Sequence, residues 1–181
     1  NWRASQIIRR ELGVGFFHGD SLTIGMPAYE PNLWNAPQVI NDNNCYNYAI
    51  DRRDSVRRNP GALAGRPVQV SLVWAGWAVA EAAEADGLQI VAGPLDIDRQ
   101  TDDLWLAALV TAPPPVGTIF GDYHWYRRDE GGMWSHKSGF DSEATNLDED
   151  GNPIDNPETC ARGQYVHFFG YFIVDRTRLL P

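Results

Sequence analysis

Cysteine and methionine are scarce, two of each in 181 residues. Two cysteines exclude a disulfide-dense scaffold. Cationic side chains are also short in number: 15 Lys and Arg against 24 Asp and Glu give a net charge of -9. That balance lacks the basic face that nucleic-acid binding requires. It equally disfavours docking on an anionic membrane surface. Long apolar runs are missing. The longest, residues 70–83, is broken by Ser71, Gly76 and Glu81 and falls short of the ~20 residues of a membrane span. No fixed-period repeat, Ser/Gly-rich linker or low-complexity tract is visible, which disfavours solenoids and propellers. The chain begins at Asn1 with no Met and no signal-like apolar segment. It therefore reads as a trimmed or processed product. Its compartment is unknown, with a secreted or periplasmic protein that has lost its signal as the expectation.

Apolar material for a core is present: 43% hydrophobic against 22% charged residues. Residues 1–181 read as a single domain. Residues 4–12 resemble a short helix. Pro27, Pro31 and Pro37 punctuate the stretch up to Asn44, with Trp34 and Tyr29 expected to pack on the core. The run Asn41-Asp42-Asn43-Asn44 predicts a helix N-terminus at Cys45. That helix is expected to end before Asn59-Pro60-Gly61. A second helix is predicted over residues 71–84. Beyond it the pattern turns to strands. Residues 104–111 form a buried apolar run, and 122–128 and 133–137 flank the turn Asp129-Glu130-Gly131-Gly132. Residues 140–158 are a polar excursion. Residues 165–174 make a last strand with a bulge expected at Gly170. Helices first and strands after predict an α+β fold with an antiparallel sheet.

One set of residues suggests chemistry. A cysteine nucleophile needs an imidazole to ionise it and a group to orient the imidazole. Cys45 at a helix start is expected to have a lowered thiol pKa. His124 lies in an aromatic strand and His136 on its hairpin partner. The register decides their relation: where paired positions sum to 260 the two histidines oppose each other, and where they sum to 261 His136 turns away. Both remain open at this level. Gln38, Asn43 and Asn44 are candidate oxyanion donors beside the backbone N–H of Cys45.

The order of a Cys at a helix start, a His on a later strand and a polar residue on the next resembles papain-like cysteine hydrolases, especially the NlpC/P60 and CHAP amidases. The strings Asn44-Cys45-Tyr46-Asn47-Tyr48-Ala49, His124-Trp125-Tyr126-Arg127-Arg128-Asp129 and Trp134-Ser135-His136-Lys137 also resemble a poorly characterised bacterial family. Its members carry NCYxYA and HWYRxD…WSHK motifs, and the likeness extends through residues 146–163. The resemblance implies a papain-like domain with Cys45 as nucleophile, His124 as general base and His136 as its orienting partner. Asn44, Asn43, Trp125, Tyr126 and Trp134 would line the oxyanion and substrate positions. The implied activity is hydrolysis or acyl transfer at an amide bond of a peptide or peptidoglycan stem through a thioester. Neither a cofactor nor a metal is required, and the sequence identifies no inhibitor or immunity protein.

Other readings stand beside this one. Trp125, Tyr126, Trp134 and Tyr123 could form the recognition platform of a non-catalytic glycan- or peptide-binding module. A glutamine deamidase or transglutaminase-type domain would use the same triad. Cys45 and Cys160 could be joined by a disulfide. Residues 148–152 with Asp155 read as a solvated turn rather than a calcium loop. The ligand-type residues His124, His136, His167 and Cys160 show no zinc spacing. His167 and His18 read as structural. Arg52, Arg53, Arg57 and Arg58 read as a solvated basic face of the Cys45 helix.

Overall fold

The computed structural model describes residues 26–94, 103–139 and 141–181. The helical start expected at residues 4–12, and His18, lie outside them. The short helices are α1 (Pro31–Trp34), α2 (Pro37–Ile40) and α3 (Cys45–Ala49), and α4 (Gly76–Ala85) is the longest. The strands are β1 (Gln89–Val91), β2 (Leu104–Ala112), β3 (Asp122–Arg128), β4 (Trp134–Lys137), β5 (Ala144–Thr145) and β6 (His167–Asp175). All pairings are antiparallel, in the order β1-β6-β2-β3-β4-β5. The fold is α+β, as the order of helices and strands predicted.

β2 sits between β6 and β3 and is covered on both faces, which is why its sequence is an unbroken apolar run. Trp105, Ala107 and Leu109 pack with Tyr123, Trp125 and Phe172 under α3 and α4. Leu106, Ala108 and Val110 pack on the opposite face with Tyr126, Trp134, Ile154 and Tyr171. The excursion after β5 therefore supplies a covering layer, with Ile154 fully buried and bridged to Trp134. The β6 bulge is present: Leu109 faces Gly170 while Val110 faces Phe168, so Phe169 is the extra residue.

Two helices differ from expectation. α3 stops at Ala49, well short of Asn59, because Asp51 adopts φ 50°. Asp tolerates that left-handed conformation better than most residues. The following loop folds back onto Asn47, whose side chain donates to Arg52 O and Val56 O and accepts from Arg58 N. The four arginines thus lie in that loop rather than along a helix, and Arg52 and Arg58 both pair with Asp54. The second helix starts at Gly76 instead of Ser71, after a single 3-10 turn at Val70–Leu72. A Cβ on Gly76 would run into the Phe169 ring, so glycine allows the helix start to approach β6. Of the two N-terminal aromatics, Trp34 is buried edge-on against Tyr48, whereas Tyr29 is exposed.

The β3–β4 hairpin follows neither register weighed from sequence. Tyr126 faces His136, Arg127 faces Ser135 and Arg128 faces Trp134, so paired positions sum to 262. The turn closes between Asp129 and Met133: Gly132 N–H donates to Asp129 O, and Asp129 N–H to Met133 O. A two-residue slip preserves facing. His124 and His136 remain on one face, diagonal to each other.

Candidate active site

The helix that carries Cys45 is held by its cap. The Asn44 side chain accepts from Tyr46 N and Asn47 N, and Asn47 Oδ1 accepts from Asn44 N. Only five residues long, α3 is fixed by its side chains: Tyr46 donates to Asp86, Tyr48 bonds Ser135 at 2.6 Å, and all five residues are buried. Arg127 ties the helix to the hairpin. Its guanidinium donates to Asp129, Asp51, Tyr48 O and the Tyr48 hydroxyl, and lies 4.1 Å from the Tyr48 ring centroid.

Cys45 is a buried free thiol, and the half-buried Cys160 is free as well, so the two form no disulfide. Cys160 packs with the cluster on the opposite sheet face. The lowered thiol pKa expected from the helix start is overturned. Burial, reinforced by the Asp122 carboxylate, pushes the Cys45 thiol up to about 12. Hydrogen bonds from the backbones of Trp125 and Tyr46 and the charge of Lys137 act the other way, and desolvation wins.

The histidines form a directed pair. His136 Nε2 lies 3.0 Å from Leu147 O, and His136 Nδ1 lies 2.8 Å from His124 Nε2. A carbonyl only accepts, so His136 Nε2 carries the proton. Burial holds both rings below the usual histidine pKa, and the neighbouring His136 opposes protonation of His124 further, so both are neutral. His136 Nδ1 is then the acceptor of the His124 Nε2–H. The basic lone pair of His124 is left on Nδ1. Ser138 Oγ, 3.2 Å from His136 Nδ1, donates to the same acceptor. His124 stacks on Tyr165 at 5.2 Å and meets Tyr126 edge-on at 5.0 Å.

Cys45 and His124 both line a cleft of about 270 Å³, with Asn44, Asn59, Asp122, Tyr123, Gly139 and Tyr165. They approach it from different sides of β3: Cys45 packs with Tyr123 and Trp125, whereas strand alternation turns His124 with Tyr126 to the other face. The cleft opens there because β4 pairs with β3 only from Tyr126 to Arg128. Among the described residues, positions 122–125 keep that edge.

The other site candidates have structural duties. Asn43 is buried, donating to Val39 O and Asp54 O and accepting from Asp54 N. Asn44 is engaged by the cap and by Arg58 O. Gln38 lies on α2 and does not line the cleft. Trp125, Tyr126 and Trp134 are at most 3% exposed, and Tyr123 is buried too, so the aromatic hairpin is core and presents no recognition platform. Asp148 closes a turn with Asp150, Asn152 and Ala161 backbone N–H groups, as the turn reading predicted. His167 is on β6, exposed rather than in the core. No group of three or more metal-ligating side chains occurs among the described residues.

Sequence reading missed Tyr165, Asp122, Asn59 and Lys137. Tyr165 donates to Asp122 at 2.8 Å, and Tyr123 donates to Asn59 Oδ1 at 3.0 Å. Lys137 is buried, donates to Gly139 O, and has its amine lowered to about 8 by burial against the opposing charge of Cys45 and Asp141. The string WSHK contained Lys137, but only the register puts its side chain on the cysteine's side of the sheet.

Fold and site together define an α+β domain in which a capped cysteine helix lies against an antiparallel sheet bearing an oriented histidine pair. No protein-family model matches the chain, and no solved structure matches it. The chain is 38% identical over 143 residues to Insoluble matrix shell protein 1 of Ruditapes philippinarum, covering 79% of this chain and 86% of that protein. It belongs to the family of that shell protein.

Proposed function

We propose that this is a papain-like cysteine hydrolase or acyltransferase acting on amide bonds, with Cys45 as nucleophile, His124 as general base and His136 as its orienting partner. The supporting observation is the direction of the histidine pair, which leaves the basic nitrogen of His124 on a ring that shares a cleft with Cys45. His124 Nδ1 takes the thiol proton as sulfur bonds the carbonyl carbon. When the C–N bond breaks, His124 returns that proton to the departing amine, leaving a thioester. Water then releases the acid, or an amine acceptor takes the acyl group. The backbone N–H of Cys45, which the Asn44 cap does not engage, and the carboxamide of Asn59 are the oxyanion donors. The substrate is a peptide amide, of which a peptidoglycan stem is one form.

Iodoacetamide labelling of Cys45 against pH, followed by peptide mass with Cys160 as control, tests this reading. An unassisted thiol with a pKa of about 12 gains rate tenfold per pH unit. Base assistance by neutral His124 flattens the profile between about pH 7 and 9. The flat profile is expected in the wild type and the steep one in His124→Ala, with roughly 100-fold slower labelling near pH 7. A steep wild-type profile unaffected by His124→Ala would end the enzyme reading.

A second reading is favoured by the name of the relative, an insoluble shell-matrix protein. There the domain is a structural component and Cys45 an inert core thiol. Under this reading Cys45→Ser retains every property of the protein, including assembly.

A further inference from the structure

Beside the cysteine cleft lies a second depression, of about 440 Å³, walled by Pro113, Pro114, Pro115, Val116, Phe120 and Val166, with Gln164 and Asp122 at its polar margin. Its volume and mostly apolar lining fit a small-ligand or side-chain pocket. The two depressions share a wall. Asp122 lines both, and Tyr165, which lines the cleft, stands between Gln164 and Val166, which line the groove. Phe120 and Val166 are each 59% exposed, and Val116 and Ile119 more so. Apolar side chains gathered this way on a surface mark a binding site more often than isolated ones do. Three successive prolines fix the backbone of one wall, so little ordering is needed when it is occupied.

We propose that this groove is a substrate subsite that takes an uncharged apolar side chain, of leucine or phenylalanine size, from a polypeptide whose amide carbonyl lies at Cys45. The inference rests on the catalytic reading of the cleft and adds its substrate class. Charge excludes one class of side chain. The Asp122 carboxylate stands at the junction and the chain carries a net charge of -9, so an acidic side chain is repelled from the groove.

Two acetyl-dipeptide chloromethyl ketones, Phe-Gly and Ser-Gly, provide the first measurement, read as the rate of Cys45 labelling. Both deliver the same leaving group and differ only in the side chain offered to the groove. The Phe reagent is expected to label roughly tenfold faster or more. The double variant Phe120→Ser, Val166→Ser, altered at exposed positions, is expected to bring the ratio to about one. Equal rates for the two reagents in the wild type overturn the subsite while leaving the nucleophile intact. The second measurement uses Cys45→Ala and follows the Val116 and Val166 methyl resonances on addition of acetyl-Phe-amide or acetyl-Ser-amide. Shifts with the Phe probe alone support the groove even where no reagent labels Cys45, in which case the catalytic reading fails separately. Absence of shifts with both probes overturns the groove.

Discussion

At the scale of single residues, the proposed chemistry depends on where one proton rests. Leu147 O fixes the proton of His136 on Nε2, and that choice fixes the proton of His124 on Nε2 as well. Removing the acceptor at position 136 frees the His124 ring to rotate and to change tautomer. In His136→Asn a carboxamide oxygen can replace Nδ1 as acceptor, but it lacks the reach to keep the Leu147 contact. Cys45 labelling near pH 7 should therefore fall by roughly tenfold in His136→Asn and by a further factor in His136→Ala. Wild-type rates in His136→Ala would remove His136 from the relay. Lys137 acts on the other partner. Its charge is one of the influences that lower the Cys45 pKa, opposing burial and Asp122. In a His124→Ala background, Lys137→Met should slow Cys45 labelling below about pH 8, where the Lys137 amine is charged, and leave it unchanged well above.

At the scale of elements, a five-residue helix has little stability of its own, since nucleation costs more than so few backbone bonds return. α3 persists because Asn44 caps it and Tyr46, Asn47 and Tyr48 anchor it. Asn44→Ala removes two cap bonds and the bond to Arg58 O. It should lower stability by about 1–2 kcal/mol in urea unfolding, and an unchanged midpoint would show that packing alone holds the helix. The cap was legible because Asn before an apolar turn has a local meaning. The strands were legible for a similar reason: β2 and β3 begin at Leu104 and Asp122, where the apolar and aromatic runs do. Less legible was anything set by long-range pairing. The 262 register depends on how the turn at residues 129–133 closes, and two-residue slips preserve the alternation visible in a sequence. The burial of Asn43, Trp125 and Trp134 was not legible either, because it is set by packing and not by residue type. Tyr165 gave no signal of its own, since its place beside His124 arises only when β6 returns next to β2.

At the scale of the whole molecule, the motif residues that carry the candidate chemistry also hold the helix and the covering excursion to the sheet. Arg127, Ser135 and Tyr48 join helix to hairpin, and His136 joins the hairpin to the covering excursion through Leu147. Function and stability should therefore share a pH dependence. Both buried histidines have pKa values below the ordinary 6.5, His124 well below it, through desolvation. The unfolded chain binds their protons near pH ~6.5 whereas the folded chain resists them. The stability they contribute is complete above the unfolded pKa. It is lost as pH falls toward the depressed folded values, at up to about 1.4 kcal/mol per pH unit for each histidine. Urea midpoints at about pH 7.5 and pH 5 should show a marked acid destabilisation in the wild type. His124→Gln, which cannot take up a proton, should reduce that acid slope while lowering stability at the higher pH. An acid slope as steep in His124→Gln as in the wild type would mean that His124 is not the neutral buried base that the proposed cysteine chemistry requires.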